Sequence, residues 1–318
     1  MHAAVVAQFD QPPRYAEFDQ PAAADEAEIV DVVAAALHPR VRSQAAGSHY
    51  TSTDELPLIP GIDGVGRRSD GSLVYFVLPD TRFGSLAERT AIDLRRSIPL
   101  PDGADPVAIA AAMNPAMSSW LALRKRAHLQ PGQSVLILGA TGSAGRLAVQ
   151  VAGHLGAGRI VAAGRDQRSL DSLAELGADT VSLAGDADEA AVRVGEAAAD
   201  VDVVVDYLFG DVAQAVIPAV LTRRADRSRR LDWVQVGAIA GPEITIASAL
   251  LRGADVALMG SGQGSVSTGD IVSELVPLMA AVDAGAFPLA VDARRLTEVE
   301  SVWKEPADAR RRVVFTID

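Results

Sequence analysis

The feature that most constrains this fold is a glycine-rich turn that joins a short apolar segment to a helical one. Residues 134–138 read SVLIL, a continuous apolar run typical of a parallel strand covered on both faces. The turn Gly139-Ala-Thr-Gly142-Ser-Ala-Gly145 follows, and apolar residues then recur with helical spacing. A second apolar run, Ile160 to Ala163, comes about one strand–helix–strand unit later. This order predicts a Rossmann-type unit, which binds a dinucleotide at the turn.

Each glycine of the turn has an expected task. Gly139 permits the tight turn, Gly142 lets the backbone approach a pyrophosphate, and Gly145 allows the helix to pack closely. Backbone amides at the helix start are expected to hold the phosphate anion. The alternative interpretation is an ordinary glycine-rich turn of an α/β protein. The residues expected to bind the dinucleotide at this turn are Gly139, Thr141, Gly142, Ser143, Ala144 and Gly145.

The end of the second strand predicts which dinucleotide binds. A site for NAD usually has an acidic residue there for the ribose hydroxyls, whereas a site for NADP has a nearby arginine. This chain has Gly164 at that position, followed by Arg165, Asp166 and, two residues later, Arg168. Arg165 can bind a 2′-phosphate through two parallel hydrogen bonds, while Asp166 either repels that phosphate or pairs with Arg168. We therefore predict NADPH, the alternative being a solvated arginine at a helix start.

The order of the elements predicts two domains. The first hundred residues contain short strands separated by proline and glycine turns, whereas strands and helices alternate from about Ser134 to Val236. After Gly262 the pattern gives one helix and a terminal strand, which are too few for a third domain. The prediction is an α/β fold, with a doubly wound parallel sheet at 116–265 and a β-rich domain formed by 1–115 and 266–318.

Composition excludes several classes of protein. The chain has no cysteine, so disulfides, thiolate nucleophiles and cysteine-bound zinc are impossible. A net charge of −12 disfavours a nucleic-acid partner, because an acidic surface repels phosphates. The beginning of the sequence has no basic leader, and the longest uncharged stretch contains Asn114 and Pro115. We expect a cytoplasmic protein without a membrane partner.

Together these features resemble the medium-chain dehydrogenase/reductase superfamily, in particular its zinc-independent quinone oxidoreductase and enoyl reductase branch. The resemblance covers essentially the whole chain and includes PGIDGVG at 60–66, PGQSVLI at 131–137 and GSG at 260–262. It implies a GroES-like β-rich catalytic domain beside the Rossmann domain, and a homodimer. It also implies that three residues frame the nicotinamide, namely Gly237, Gly260 and Ser261.

The resemblance also has departures that bear on the chemistry. Zinc-dependent members of the superfamily carry an early cysteine ligand and a Gly-His-Glu ligand motif. The matching segments here are PRVRS at 39–43 and Gly61-Ile62-Asp63, which cannot supply that zinc site. The resemblance therefore implies catalysis without zinc.

Without zinc, hydrogen-bond donors must polarise the substrate oxygen. In the enoyl reductase relatives a tyrosine just after a glycine of the first domain is the usual proton-donor candidate. Gly47-Ser48-His49-Tyr50 resembles that segment, with one residue more between glycine and tyrosine. The resemblance thus implies Tyr50 as the first candidate and His49 as the second, while Tyr50 as a ring that only lines the pocket stays open. No tyrosine is followed by a lysine four residues later, which excludes the short-chain reductase mechanism.

The predicted function is an NADPH-dependent reductase that transfers hydride to a quinone or an α,β-unsaturated carbonyl. This small-molecule substrate is expected in the cleft between the β-rich domain and the carboxyl ends of the parallel strands. Three alternatives remain: a zinc-free carbonyl reductase, a redox-neutral biosynthetic enzyme on the same scaffold, and a non-catalytic NADPH-binding protein. The arginine-rich run at 223–230 is predicted to be a solvated surface.

Overall fold

The computed structural model describes residues 1–22, 27–306 and 308–317. It divides into two compact units, one formed by Met1–Asn114 with Val272–Asp318 and the other by Pro115–Ile271. The domain limits predicted from the sequence, after residues 115 and 265, stay a prediction.

Strands and helices follow one another along the described residues in this chain order. The strands are β1 His2–Val5, β2 Arg14–Glu17, β3 Ala27–Leu37, β4 Asp63–Arg67, β5 Leu73–Val77, β6 Arg89–Asp93, β7 Ser97–Pro99, β8 Ser134–Leu138, β9 Arg159–Gly164, β10 Asp179–Ser182, β11 Val203–Asp206, β12 Leu231–Gln235, β13 Val256–Gly260, β14 Ala290–Arg295 and β15 Arg311–Thr316. The helices are α1 Pro39–Ala45, α2 Pro106–Leu121, α3 Ser143–His154, α4 Gln167–Ala174, α5 Ala187–Ala198, α6 Gly210–Arg223, α7 Ser248–Gly253, α8 Thr268–Asp283 and α9 Val299–Lys304. A π-helical turn, Ala122–Arg126, extends α2.

The first unit contains a mainly antiparallel sheet in the order β14-β15-β3-β4-β5-β7, with β6 also paired to β3. The terminal strand β15 returns to the amino-terminal part of the chain, where Phe315 pairs with Ala35. Both residues are fully buried, together with Phe76 of β5 and Leu86. This apolar core, rather than any local propensity, stabilises an otherwise irregular sheet.

The second unit contains a parallel sheet in the order β10-β9-β8-β11-β12-β13. Its central strands β8 and β11 are apolar because helices cover both faces, and residues 135–138 and 203–205 are at most 1% exposed. The strand order reverses between β8 and β11, which is the topological switch point where such sheets bind ligands. The predicted α/β fold with a Rossmann-type sheet and a β-rich part is confirmed.

The helix formed by residues Pro106–Arg126 is long and apolar enough to cross a membrane by length and composition alone. The most apolar 18-residue stretch of this helix is 67% buried inside the protein, and Trp120 and Leu123 are among the buried side chains. Core helices of globular proteins pass the same test, because their apolar faces contact protein instead of lipid.

Candidate functional site

The glycine-rich turn after β8 has a conformation that side chains would prevent. Gly139 has a φ of +88°, which favours glycine, and a Cβ added there would lie 3.0 Å from Cδ2 of Leu208. The amides of Gly139 and Ala140 both donate to the carbonyl oxygen of Ala163, each at 2.9 Å. A Cβ on Gly145 would lie only 2.2 Å from the carbonyl oxygen of Gly139. Gly145 therefore allows α3 to begin directly against the turn.

Gly142 differs from these two glycines because protein atoms leave its side open. It is the N-cap of α3 with a φ of −78°, and the nearest atom to an added Cβ is the Gly139 oxygen at an ordinary 3.4 Å. The amides of the first helical turn, from Ser143 through Gly145, have no acceptor within the helix. Together with the positive end of the helix dipole, they form a site that suits a pyrophosphate.

The end of β9 lacks a side chain for a steric reason. A Cβ on Gly164 would lie 2.3 Å from Cγ2 and 2.6 Å from Oγ1 of Thr141. Thr141 therefore occupies the space beside the strand end. In the sequence, Gly164 is notable only because an acidic residue is absent there. The structure adds that any side chain at this position would clash with Thr141.

Two exposed arginines follow Gly164 at the end of β9. Arg165 and Arg168 are exposed, and neither forms a hydrogen bond or ion pair with the described residues. Asp166, whose role the sequence left open, caps α4 by accepting hydrogen bonds from the amide (2.9 Å) and the hydroxyl (2.6 Å) of Ser169. The two guanidinium groups are thus available to a phosphate, and these residues fit NADPH.

The three residues expected near the nicotinamide lie at or just beyond the carboxyl ends of β12 and β13. A Cβ on Gly237 would lie 2.7 Å from the carbonyl oxygen of Tyr207, so glycine permits close contact between two loops there. The carbonyl oxygen of Gly260 accepts a hydrogen bond of 2.9 Å from Nε of Arg126, which fixes the segment that leads to Ser261. Their contacts with a cofactor stay a prediction.

A buried carboxylate that the sequence analysis missed organises the same edge of the sheet. Asp206 ends β11, is fully buried, and accepts hydrogen bonds from Nε1 of Trp233 (3.0 Å) and from the amides of Leu208 (2.8 Å) and Phe209 (2.9 Å). Burial raises the pKa of Asp206. Phe209 has a φ of +51°, and the bond from its amide to Asp206 helps to hold this unfavourable conformation. The only indication in the sequence was an acidic residue that ends the apolar run VVVD.

In the first unit, His49 is held by a polar cluster formed by Arg40, Thr51 and Asp80. Nδ1 of His49 lies 2.9 Å from Oγ1 of Thr51 and 3.3 Å from its amide. The Thr51 hydroxyl in turn contacts the Asp80 carboxylate, which also forms an ion pair with Arg40. Burial, and then the charge of Arg40, lower the pKa of His49. At neutral pH His49 is therefore an uncharged imidazole in a fixed position.

Tyr50, the first candidate for the proton donor, lies beside this cluster at the surface. Its side chain is 73% exposed, and its ring centroid is 4.3 Å from that of His49. The structure thus places the two candidate residues in ring contact. Whether either residue donates a proton stays a prediction.

A second cluster in this unit is fully buried and was not predicted. Nε2 of His38 lies 3.1 Å from Oδ1 of Asp63, and the hydroxyl of Tyr75 donates to Oδ2 of Asp63 at 2.9 Å. Burial lowers the pKa of His38, raises that of Tyr75, and lowers that of the neighbouring Arg312 to about 10. Within residues 1–22, 27–306 and 308–317, no group of three or more His, Asp or Glu side chains could hold a metal ion.

The chain is similar to known proteins over its whole length, although no family model matches the sequence. A probable NADPH-dependent quinone reductase, tdiC, of Emericella nidulans is 33% identical over 359 residues, an alignment that covers 99% of each chain. A solved quinone oxidoreductase from Thermus thermophilus, described with its NADPH complex, has a TM-score of 0.80 and 26% identity over 99% of this chain and 100% of that chain. An alcohol dehydrogenase superfamily protein from Novosphingobium aromaticivorans has a TM-score of 0.82 and 23% identity over both full chains, which supports the fold.

The Rossmann-type sheet and its glycine-rich turn define a protein of the dinucleotide-binding class. The full-length relatedness specifies this class further. The chain belongs to the medium-chain dehydrogenase/reductase superfamily, in its quinone oxidoreductase-like branch.

Proposed function

We propose that this protein is an NADPH-dependent oxidoreductase that reduces a quinone or an α,β-unsaturated carbonyl. The observation that carries the proposal is a pair of exposed arginines at the end of β9, beside an open glycine-rich turn. Arg165 and Arg168 have no partner among the residues that the structure describes. The similarity to the quinone reductase over 99% of both chains supports the same assignment. When bound, NADPH supplies the hydride, and the substrate also gains a proton from the protein or from water.

The residues of the second unit have binding and orienting roles in this proposal. The first-turn amides of α3 hold the pyrophosphate, which lies against Gly142 because no side chain is there. Arg165 and Arg168 bind the 2′-phosphate. Gly237, Gly260 and Ser261 frame the nicotinamide end.

The reaction is tested by measuring NADPH oxidation with a matched set of acceptors. Menadione represents quinones, cyclohexenone represents conjugated carbonyls, and cyclohexanone is the saturated control. Turnover with menadione or cyclohexenone but not cyclohexanone is the expected result. Reduction of cyclohexanone would favour a carbonyl reductase, and tight NADPH binding without any turnover would favour a non-catalytic or redox-neutral protein.

Cofactor choice is tested at Arg165. Arg165→Ala removes a charge-assisted contact worth on the order of 1.5–3 kcal/mol, so we expect NADPH binding to weaken about ten- to a hundredfold while NADH binding changes little. Arg159→Ala is the matched control, because Arg159 begins the same strand and pairs with Asp179 at the surface. Equal losses for NADPH and NADH, or a preference of the wild type for NADH, would contradict the assignment.

We also propose that the segment containing His49 and Tyr50 supplies the acidic group, with Tyr50 as the leading candidate. A tyrosine hydroxyl can donate a hydrogen bond to a developing enolate and so stabilise its charge. His49 is the second candidate, and its contacts to Thr51 orient the imidazole.

Single-turnover oxidation of NADPH by cyclohexenone distinguishes the two residues. If Tyr50 is the acid, Tyr50→Phe should slow turnover by roughly 100- to 10,000-fold and leave NADPH binding intact. Menadione should be affected less, because water can protonate its reduced oxygens. A normal rate in Tyr50→Phe with a slow His49→Gln variant would move the role to His49, and normal rates in both would assign it to water.

Independence from zinc is part of the proposal. The chain has no cysteine, and no candidate ligand cluster occurs among the residues that the structure describes. Activity should therefore survive prolonged chelation with no zinc in the purified protein by elemental analysis. Loss of activity on chelation and recovery with zinc would refute this part.

A homodimer is a further part of the proposal. Among the described residues β13 pairs only with β12, so its other edge is open. Leu258 on this strand is 41% exposed and Ile239 is 72% exposed, as at a surface that a second copy covers. Light scattering should give a dimer for the wild type and a monomer for Leu258→Lys; a monomeric wild type would exclude it.

We propose a cytoplasmic location. Proteins of oxidising compartments often contain disulfides, whereas this chain has no cysteine to form one. Fractionation of cells that express the native gene tests this, and recovery in a membrane or exported fraction would contradict it.

A further inference from the structure

Tyr207, which neither the sequence motifs nor the proposed donor segment uses, lies at the centre of the carboxyl edge of the parallel sheet. It is the first residue after β11, and its amide donates to the carbonyl oxygen of Leu138 at 3.1 Å. A Cβ on Gly139 would lie 3.3 Å from Cβ of Tyr207, and a Cβ on Gly237 would lie 2.7 Å from the Tyr207 carbonyl oxygen. Tyr207 therefore lies between the glycine-rich turn after β8 and the glycine that follows β12.

The sheet topology indicates which half of a dinucleotide this position faces. The strand order reverses between β8 and β11, and a dinucleotide extends across that point with one mononucleotide on each side. This step rests on the proposed function, in which Arg165 at the end of β9 binds the 2′-phosphate of the adenosine half. The nicotinamide half then belongs on the side of β11, β12 and β13, and Tyr207 is the first residue after β11.

The hydroxyl of Tyr207 is fixed by a serine from another element. It lies 2.9 Å from Oγ of Ser118 in α2, and Ser118 donates its own hydroxyl proton to the carbonyl oxygen of Pro115 at 2.8 Å. Because a serine hydroxyl has only one proton, Tyr207 is the donor in the bond between the two hydroxyls. Ser119 also contacts this hydroxyl, but its single proton goes to the carbonyl oxygen of Ala116 at 3.1 Å, so the phenol oxygen retains an acceptor position.

Burial raises the pKa of Tyr207 to about 12, so the group stays a phenol at neutral pH. Both Tyr207 and Ser118 are nevertheless half-buried and not fully enclosed. The pair is therefore a rigid polar surface that a ligand can reach. An amide N–H, such as that of a carboxamide, suits the free acceptor positions of the phenol oxygen.

We propose that Tyr207, held by Ser118, is a positioning residue for the nicotinamide half of the cofactor. Its hydroxyl contacts the nicotinamide carboxamide or its ribose, and its fixed ring limits how the nicotinamide can rotate. Tyr207 then affects hydride transfer through the orientation of the cofactor and makes no contact with the adenosine half.

The test compares two ligands by calorimetry, NADPH and the adenosine bisphosphate that corresponds to its phosphorylated adenosine half. Tyr207→Phe should weaken NADPH binding about three- to tenfold and leave binding of the adenosine fragment unchanged. Ser118→Ala should give a similar pattern, and the double variant should lose less than the two single variants combined. The matched control is Tyr75→Phe, which removes a buried tyrosine hydroxyl bond in the other unit and should leave both affinities unchanged.

A second readout separates positioning from a purely structural role. The single-turnover rate of hydride transfer at saturating NADPH should fall in Tyr207→Phe, with an increased primary isotope effect from deuterated NADPH. Equal weakening of both ligands, or normal binding and a normal rate, would overturn the inference. If the fragment binds independently of Arg165, the proposed function fails instead, so the two failures are distinguishable.

Discussion

Three of the glycines in α3 and its preceding turn, Gly142, Gly145 and Gly153, allow folding and cofactor binding to be perturbed separately. Gly145→Ala places a methyl group 2.2 Å from the Gly139 carbonyl oxygen and 2.7 Å from Cα of Ala140, both of which are backbone atoms. Gly142→Ala places its methyl group 3.4 Å from the same oxygen, an ordinary contact. Gly153→Ala, further along α3, is the matched control, because its methyl group would meet only Cδ1 of Ile160 at 3.8 Å.

The size of each effect follows from these distances. A carbon atom needs about 3.3 Å from a carbonyl oxygen, so Gly145→Ala requires backbone shifts of about 1 Å. Overpacking of this kind costs roughly 3 kcal/mol, and the better helix propensity of alanine returns about 1 kcal/mol. We expect a net loss of about 2 kcal/mol, or a decrease in Tm of about 4–8 °C for a unit of this size. Gly153→Ala should gain up to about 1 kcal/mol for the same reason of propensity.

Whereas Gly145→Ala should mainly reduce stability, Gly142→Ala should affect NADPH binding more than stability. It loses roughly 0.5–1 kcal/mol at the N-cap, yet it should weaken NADPH binding at least about tenfold because the methyl group separates the pyrophosphate from the first-turn amides. Thermal unfolding without cofactor and calorimetric titration of NADPH at low temperature measure the two quantities. A Gly145→Ala variant as stable as the wild type would refute the steric argument. Normal NADPH affinity in Gly142→Ala would refute the assigned phosphate site.

Three other perturbations test individual contacts. His38→Gln should make stability less dependent on pH. Burial lowers the pKa of His38 below its ordinary 6.5, so acidification through 6.5 protonates the unfolded chain first and destabilises the wild type. Thermal melts between neutral and mildly acidic pH would detect this difference. Gly164→Ala should destabilise the protein by about 1–3 kcal/mol because its methyl group meets Thr141. Adding Thr141→Ala should restore most of the lost stability. A double variant that is as unstable as Gly164→Ala would argue against this contact. Asp166→Asn keeps a good helix cap but removes a negative charge beside the two arginines. Calorimetry should therefore show tighter NADPH binding and unchanged NADH binding. Weaker NADPH binding would contradict the prediction.

The predictable parts of the fold are those determined by residues that are close together in the sequence. The apolar run of β8, the glycine turn and the periodicity of α3 are encoded within about twenty residues, so local patterns suffice. The short helix α1 was not predicted, because the first hundred residues were interpreted as strands and turns. Its first residue is Pro39, and proline is well accepted at the first position of a helix. Arg224 in the arginine-rich run was also misjudged: it is buried, because its guanidinium donates to the carbonyl oxygens of Ala199 and Val201.

The polar clusters could not be predicted, since they join segments that are distant in the sequence. Thr51, which contacts His49, binds Asp80 at a separation of 29 residues, and His38 contacts Asp63 at a separation of 25 residues. No motif in the sequence indicated a role for Tyr207. Its position became informative when the strand order placed the switch point beside it.

Simple electrostatics shows what the cluster at the end of β9 must do to select NADPH. With charges about 6 Å apart in water, each arginine attracts a doubly charged phosphate by about 1.4 kcal/mol, and Asp166 repels it by the same amount. The net attraction is about 1.4 kcal/mol, and screening at physiological ionic strength reduces it by about half, which corresponds to only a few-fold preference. A ten- to a hundredfold preference therefore requires direct hydrogen bonds from Arg165 or Arg168, and the cap that Asp166 forms with Ser169 places its carboxylate on the helix and not on the phosphate. The measured ratio of NADPH to NADH affinity thus reports whether these arginines bind the phosphate directly or only attract it.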